Sequence, residues 1–598
     1  MFTKCVEMVK AFRSHPSVIE YCLQNEIGAD LKNPDTLAVL EAMRKEDPSR
    51  CIVLNDGFVA PPRKAAQAWF APWDEKLHRS DEEEWGGWWN QHQGAGDQWY
   101  DEFYKGPNDF TYKSPERKAI SEFGEMEGCA TPDNHSLMLH ELAAPAATGI
   151  GNQPANTSYD LKDHQEIVAA YDKFLDKWGF RAAFPATETL WTSLGKKCYD
   201  TWQNYMENAR ISDELDFCAI SGWESTAIEN HSGIVDNLRN FKSDPGPITG
   251  TLMPVRPVAK QRAMCTALGE AATFDLYLLN DTDKAAAGTL TFSAVTPSGK
   301  LVKFGEWAAP EWKRDQFSYM IKEAFVTPKL EEEGMYRFKF ALSSAPGSTQ
   351  TKEIWVTTAS WPIGPYLGGL PRIYGVGVAG LSPAVRRQLE QLGPKFHIQD
   401  FKPGEKFDVI VSSGVTAHAQ QPRDVGDRTG LEAQPANVVG PVVTTTQLGE
   451  LAPGILEAVR AGTPLLAIPQ ADALSDGVAK QLAAAGAFTY SGNVGDFRAP
   501  WMGNWYFVRK HPLYDGLPVD QAMGIHYAAR GRQSNGLLVD GPDVEIIAGY
   551  SRDHDRQIGA GTFATKLGNG KVLYQRVPEL HPVLQARFLA NAIAWLVA

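Results

Sequence analysis

Hydrophobic and polar positions follow three different patterns along the chain. From 1 to 245, short apolar runs such as CIVLNDG alternate with amphipathic stretches such as TLAVLEAMRKEDPSR, which predicts an α/β domain. From 252 to 360, short runs of strand character are separated by turn residues, which predicts a small antiparallel β-sandwich. From 371 to 598, strand and helix patterns alternate again, which favours a doubly wound parallel sheet.

Two stretches rich in proline and glycine separate these patterns. SDPGPITGT, at 243–251, precedes the predicted sandwich, and WPIGPYLGGLPR follows it. Such residues interrupt both helices and strands. A chain of 598 residues is also too long for one hydrophobic core. We therefore predict three domains, at 1–245, 252–360 and 371–598.

Composition narrows the classes of partner. The net charge of −14 argues against a nucleic-acid-binding protein, which needs a basic face to replace phosphate counterions. No apolar run approaches the ~18 to 20 residues of a membrane span, so we expect no membrane partner. The N-terminal MFTKCVEMVKAFRSHPSV lacks the continuous apolar segment of a signal peptide. No compartment follows from the sequence.

Cysteine and acidic residues indicate neither a disulfide framework nor a metal centre. The seven cysteines are scattered without CxxC spacing, which is untypical of disulfide scaffolds and of zinc sites. No cluster of His, Cys, Asp and Glu has the spacing of metal ligands. We therefore predict no metal and no cofactor.

Two predicted strands of the first region each run into a glutamate. The apolar run before QNE ends at Glu26, and the run Ala119 to Ser121 ends at Glu122. In a barrel of parallel strands the carboxyl ends share one mouth, so the two carboxylates are expected to face each other across a sugar. Two carboxyls about 5 to 5.5 Å apart are what retaining glycoside hydrolysis uses. The alternative is that NE caps the next helix and Glu26 is solvated.

Four stretches together resemble one enzyme family. RSHPSVIEYCLQNE, DPSRCIVLNDG, ISEFG and AISGWESTAIENHSGIVDNLRNFK resemble the catalytic (β/α)8 TIM barrel of glycoside hydrolase family two, the β-galactosidases, β-mannosidases and β-glucuronidases. The resemblance covers about 1–245. It implies that Glu26 is the acid/base, that Glu122 is the nucleophile, and that Asn25 bonds the 2-hydroxyl of the sugar. The reaction is then a retaining hydrolysis of a β-glycoside.

The resemblance also bears on the substrate. Family members that act on glucuronides carry Asn-x-Lys to grip the sugar carboxylate, whereas this chain has Asn230, His231 and Ser232. A neutral sugar of the β-galactoside or β-mannoside type is therefore favoured. Trp223 falls where the family stacks an aromatic ring on the sugar; the alternative is a buried core tryptophan.

Two more side chains are candidates for the pocket. His92, with Tyr100 or Tyr104 near it, is expected to reach the pocket from the sixth strand of the barrel. Ordinary packing is the alternative for all three. Asn25, Trp223, His92 and Tyr100 thus complete the predicted carbohydrate site around Glu26 and Glu122.

The predicted barrel is incomplete. Five strand candidates precede the sandwich, near 18–24, 51–55, 88–99, 118–121 and 216–222, whereas a closed barrel of this type has eight. We expect the first three strand-helix units to come from a longer product, from a homo-oligomer or from a partner that completes the barrel. Otherwise the chain is a rearranged, non-catalytic carbohydrate-binding or scaffold protein of the same descent.

The last region contains a different candidate motif. Gly375, Gly377 and Gly380, with Asp400 twenty residues further on, have the spacing of a dinucleotide-binding fingerprint, which would indicate an oxidoreductase. Against this, Ser382 and the proline after it predict that the helix begins only after the third glycine.

The pattern of 371–598 also resembles the amidotransferase-like, flavodoxin-type domains appended to some sugar hydrolases. An amidotransferase needs a cysteine nucleophile, and this region has no cysteine. We therefore predict an accessory role in packing or oligomerisation. The middle region, for its part, has the strand spacing of an immunoglobulin-like sandwich.

Overall fold

A computed structural model describes three successive regions of the chain, the first and last of α/β type and the middle one of β type. Every structural statement below refers to the part of the chain that this model describes. These are 2–25, 33–56, 68–72, 88–92, 120–126, 131–143, 159–212, 217–220, 223–225, 233–358, 373–394, 396–416, 449–469, 472–494, 504–527, 535–552, 555–577 and 580–598.

The chain begins with a small sheet and two helices. These are α1 (Phe2–Phe12), β1 (Glu20–Asn25), α2 (Pro34–Glu46), β2 (Cys51–Asp56) and β3 (Ala68–Phe70). β1 and β2 are parallel, and β3 joins the sheet antiparallel to β2. α2 begins after Asn33, whose side chain accepts the backbone N–H of Asp35 at 2.9 Å, a common helix cap. Leu40 and Met43 of α2 pack with Ile52 of β2 in one core, where all three are fully buried.

A second sheet carries the later part of the first region. Its strands are β4 (Trp88–His92), β5 (Ile120–Met126) and β6 (Phe217–Ile220), in the order β4-β5-β6 and all parallel. The accompanying helices are α3 (His135–Ala143), α4 (Tyr159–Lys177), α5 (Thr187–Ile211) and α6 (Gly246–Thr251). α5 is buried along most of its length, with Trp191 and Trp202 among the least exposed side chains.

All five predicted strands of the first region are present, and β3 is an additional one. The described strands form two separate three-stranded sheets, β1-β2-β3 and β4-β5-β6, and they do not confirm a TIM barrel. The strand predicted to end at Ser121 continues to Met126, so Glu122 lies within β5. The parallel pairs β1-β2, β4-β5 and β5-β6 are nevertheless those that successive strand-helix units produce.

The predicted sandwich is present between 252 and 360. Its strands are β7 (Val255–Gln261), β8 (Cys265–Ala267), β9 (Ala271–Asn280), β10 (Thr289–Val295), β11 (Leu301–Ala308), β12 (Ser318–Lys329), β13 (Gly334–Leu342) and β14 (Gln350–Thr357). They form the sheets β11-β10-β13-β14-β8 and β12-β9-β7, antiparallel except between β14 and β8. Phe274 of β9 crosses between the sheets, with its ring centroid 5.0 Å from that of Phe292 and 4.7 Å from that of Phe338.

The last region is built on one large mixed sheet. Its helices are α7 (Pro383–Glu390), α8 (Ile455–Ala461), α9 (Asp472–Ala484) and α10 (Pro582–Val597). Its strands are β15 (Tyr374–Ala379), β16 (Phe396–Asp400), β17 (Val409–Ser412), β18 (Val415–Thr416), β19 (Gly449–Glu450), β20 (Leu465–Ala467), β21 (Thr489–Val494), β22 (Asn504–Val508), β23 (Gln521–Ala522), β24 (Gly536–Asp540), β25 (Glu545–Arg552), β26 (Gly559–Leu567) and β27 (Gly570–Gln575).

Half of this sheet follows the predicted parallel arrangement. β16, β15, β17, β20 and β27 are neighbours in that order and all parallel. α7 and α10 pack on one face of them, and α8 and α9 pack on the other. β26, β25, β22 and β23 then extend the sheet antiparallel, which the alternation of strands and helices did not predict.

The last region contacts both of the other regions. Phe507 of β22 packs against Phe174 of α4 and against Phe180 and Phe184, with ring centroids 5.4 to 5.9 Å apart. The indole N–H of Trp355 in β14 donates to the carbonyl of Gly516 at 2.9 Å. Within the described ranges, no helix is long and apolar enough to span a membrane.

A buried group of charges joins α5 to the sandwich. The Glu207 carboxylate, fully buried, lies 2.8 Å from Arg256 of β7 and 2.6 Å from Lys352 of β14. Gln350 donates to it at 2.7 Å. Burial would raise the pKa of Glu207, but the two cations and their hydrogen bonds lower it to about 2. Burial, together with the neighbouring charge of Arg256, holds the pKa of Lys352 below its ordinary value, although Glu207 acts in the opposite direction.

Candidate functional site

The predicted catalytic pair is described in part. Asn25 is the last residue of β1 and lies opposite Asp56, the last residue of β2. Glu26 and Tyr100 fall outside the described residues. Glu122 is described as part of the backbone of β5. That the carboxylates of Glu26 and Glu122 meet therefore stays a prediction.

The strands that carry Glu122 and His92 are neighbours. Glu122 lies opposite Asn90 of β4 and Phe217 of β6, and His92 lies opposite Glu125. Because the three strands are parallel, their carboxyl ends lie at the same edge of the sheet. The segment that follows β6, which contains Trp223, therefore leaves the sheet at the edge to which the strand of Glu122 also runs.

The side chain of Trp223 is exposed enough to contact a ligand. Its side chain is 40% exposed, unlike Trp191 and Trp202, which are almost fully buried. A buried core tryptophan, the alternative that the sequence left open, does not fit this exposure. The backbone around Trp223 is held firmly, since its carbonyl accepts the N–H groups of Ile234 and Val235, both at 2.9 Å.

A buried cluster of three polar side chains includes Ser225, two residues after Trp223. The Lys242 ammonium is 3.0 Å from the Asp133 carboxylate and donates to the carbonyl of Thr131 at 2.7 Å. The hydroxyl of Ser225 donates to the same oxygen of Asp133 at 3.0 Å. The side chains of Lys242 and Asp133 are both fully buried.

The electrostatics of this cluster favour an ionised carboxylate. Burial would raise the pKa of Asp133, but the charges of Lys242 and His135 and the hydrogen bonds from Lys242 and Ser225 hold it below its ordinary value. The Lys242 ammonium provides the matching charge at 3.0 Å. The cluster is therefore a buried ion pair, and it joins the segment after β5 to the segment after β6.

The same segment is tied to α5. The backbone N–H of Lys242 donates to the hydroxyl of Tyr199 at 2.9 Å, and that hydroxyl donates to the carbonyl of Ile234. The N–H of Ser225 donates to the carbonyl of Val235 at 3.0 Å. Trp223 thus projects from a turn that is fixed on both sides.

Sequence reasoning missed this cluster. Asp133 and Lys242 lie in the short polar stretches TPDN and NFKSD, which have no helical or strand periodicity. Their pairing joins positions that are more than a hundred residues apart. The only signal in the sequence was that Lys242 is the last residue of a stretch that carries the family resemblance.

One glycine of the motif in the last region, Gly377, has a packing explanation. A Cβ added to Gly377 would lie 2.9 Å from the ring of Phe407, so this glycine is required by a neighbouring side chain. The helix begins at Pro383, after the motif, and Ser382 caps it by accepting the N–H of Val385. Asp400 forms an ion pair with Arg386 of α7. Within the described residues Gly377 and Asp400 are thus accounted for without a nucleotide.

Comparison with known proteins gives partial structural matches. No protein-family model matches the chain, and no curated protein sequence matches it. The exo-chitosanase CsxA of Amycolatopsis orientalis matches with a TM-score of 0.32 and 12% identity, over 59% of this chain and 38% of that one. A β-glucosidase from Listeria innocua matches with a TM-score of 0.13 and 18% identity, over 17% of this chain and 16% of that one.

These structural neighbours are glycosidases. The chain spans about 38% of the length of CsxA and about 16% of that of the β-glucosidase. The likeness is one of partial fold, and it carries no argument about substrate or activity. The case for a function therefore depends on the residues of this chain and on their placement.

Proposed function

We propose that this chain belongs to a retaining β-glycosidase that acts on a neutral sugar, of the β-galactosidase or β-mannosidase type. Glu122 attacks the anomeric carbon and forms a covalent glycosyl-enzyme, while Glu26 protonates the departing oxygen. Glu26 then removes a proton from water, which attacks the same carbon and releases the sugar with its configuration retained. Asn25 bonds the sugar 2-hydroxyl, and His92 and Tyr100 line the pocket.

One observation supports this proposal most strongly. Trp223 follows β6, the parallel neighbour of the strand that carries Glu122, and its indole is 40% exposed on a well-fixed turn. An exposed indole beside the end of parallel strands is suited to stacking on the C–H face of a sugar. A tryptophan needed only for the core would be buried.

The proposal also assigns a domain type to each of the three regions. The region 1–245 is the C-terminal part of a TIM-barrel glycosidase domain, and a homo-oligomer, a partner or a longer product provides the remaining strands. The region 252–360 is an immunoglobulin-like sandwich. The region 371–598 is a flavodoxin-like, amidotransferase-like accessory domain with no cofactor.

A second function remains a candidate on one observation. The strands of the first region form two separate three-stranded sheets in the described residues. That arrangement favours a carbohydrate-binding or scaffold protein without catalysis, because a retaining reaction needs the ends of β1 and β5 at one mouth. An oxidoreductase is not favoured, since the ring of Phe407 packs against Gly377 and Arg386 pairs with Asp400.

Azide rescue of two alanine variants tests the proposed roles. Glu26→Ala should lower kcat for aryl β-galactosides or β-mannosides by about 10² to 10⁴-fold, and azide should restore turnover with a β-glycosyl azide as product. Glu122→Ala should be inactive, and azide should yield the α-glycosyl azide. The exposed Glu188 of α5 offers a control, as Glu188→Gln should behave as wild type. Equal activity in all four proteins would exclude the proposed pair.

A further inference from the structure

The buried cluster of Lys242, Asp133 and Ser225 connects two segments that the proposed site depends on. Asp133 lies in the segment after β5, the strand of Glu122, and Ser225 lies two residues after Trp223. Lys242 contacts the first of these segments, since its ammonium donates to the carbonyl of Thr131 and pairs with Asp133, and Ser225 joins the second segment to the same carboxylate oxygen.

Stability alone is a poor reason for this ion pair. Removing two charges from water is costly, and a buried pair is often replaceable by apolar side chains without loss of stability. Among the described residues, one carboxylate oxygen of Asp133 also has no hydrogen-bond partner although it is buried. A buried ion pair with defined hydrogen-bond geometry does, however, fix the position of its two chain segments relative to each other.

We propose that Lys242, Asp133 and Ser225 are positioning residues that hold the turn of Trp223 in register with the end of β5. The hydroxyl of Ser225 fixes the turn from one side, and the backbone bonds from Ile234 and Val235 to Trp223 fix it from the other. The catalytic consequence depends on the proposed function: the indole is held where the sugar meets the nucleophile.

Two variants distinguish a role in positioning the turn of Trp223 from a role in stabilising the fold. Lys242→Met removes the ammonium and leaves Asp133 as an unpaired buried charge. The double variant Asp133→Leu with Lys242→Met removes both charges and is expected to regain most of the thermal stability. Lys352→Met is the matched control, because it removes another buried lysine, at the junction of α5 and the sandwich.

Hydrogen exchange tests the positioning without reference to activity. The amides of Ile234 and Val235 bond the carbonyl of Trp223, so their exchange reports the position of the turn. In the full chain we expect at least tenfold faster exchange of these amides in both Lys242 variants, and unchanged exchange in Lys352→Met. Unchanged exchange in the double variant, or equal acceleration in the Lys352 control, would overturn the positioning role.

Kinetics test the catalytic consequence. If wild type hydrolyses aryl glycosides, the double variant should keep at least a tenfold lower kcat with a smaller change in KM, although its melting temperature recovers. Recovery of kcat together with stability would overturn the catalytic consequence. If wild type hydrolyses none of the glycosides, the proposed function fails, and the exchange experiment still decides whether the cluster positions the turn.

Discussion

Gly375 and Gly377 belong to one motif but have different surroundings. A Cβ on Gly377 would lie 2.9 Å from the ring of Phe407, whereas a Cβ on Gly375 would have its nearest neighbour, Asp408, at 3.8 Å. Close packing therefore explains Gly377 but does not explain Gly375. If packing is the reason for the motif, alanine should therefore lower the stability of the domain at Gly377 and not at Gly375.

Alanine substitutions at these two positions should have different effects. Gly377→Ala forces the phenyl ring of Phe407 to move and should destabilise the domain by about 1 to 3 kcal/mol. Gly375→Ala should change stability by less than about 0.5 kcal/mol. Differential scanning calorimetry of the two variants measures the difference. Equal melting temperatures, or a rise in melting temperature of wild type with NAD or FAD, would speak against the packing explanation.

Trp223 is the described side chain with the clearest expected role in binding. Trp223→Ala should lower kcat/KM for aryl glycosides by about tenfold, the equivalent of ~1.4 kcal/mol of stacking, with little change in melting temperature because the indole is 40% exposed. Trp312, in the sandwich and 37% exposed, provides the control. A similar loss in Trp312→Ala would show that the effect is not specific to the proposed site.

At the scale of elements, α5 connects the regions through its buried carboxylate. Glu207 has a pKa of about 2 in the folded chain, against an ordinary value of 4.5. Because the folded pKa is the lower one, the charged group stabilises the fold above about pH 4.5. This contribution is lost as the pH falls from 4.5 toward 2.

The acid sensitivity of the chain should therefore change when Glu207 is replaced. Glu207→Gln leaves Arg256 and Lys352 buried without their counter-charge and should lose about 3 to 5 kcal/mol at neutral pH. Between pH 4.5 and 2 its stability should fall less steeply than that of wild type. Melting temperatures at several pH values measure both effects, with Glu188→Gln as the surface control. If the melting temperature of the variant depended on pH between 4.5 and 2 as that of wild type does, Glu207 would not be the source of the acid sensitivity.

Local patterns predicted the elements better than their partners. Strands β1, β2, β4, β5 and β6 stand out because apolar runs end at clear polar or turn residues, and Ser382 with the following proline predicted the start of α7 correctly. The end of β5 was placed too early, since the strand continues through Glu122 to Met126. A polar residue inside a strand carries no local signal that distinguishes it from a strand end.

At the scale of the whole molecule, pairing over long distances limited the prediction. The sequence indicated the two-sheet sandwich and the parallel half of the last sheet, because both follow from the order of neighbouring elements. The antiparallel half depends on pairs such as β22 with β25, which no local pattern specifies. The ion pairs of Glu207 and Asp133 likewise join positions separated by 49 or more residues.

The whole proposal depends on a nucleophile at Glu122. The most direct measurement is incubation of the full chain with 2-deoxy-2-fluoro-β-galactosyl fluoride and its mannosyl counterpart, followed by digestion and mass spectrometry. The fluorine slows release of the sugar, so a retaining enzyme accumulates the covalent intermediate. We predict one fluorosugar on the peptide that contains Glu122. An unlabelled chain, or a sugar attached to a different residue, would contradict the account.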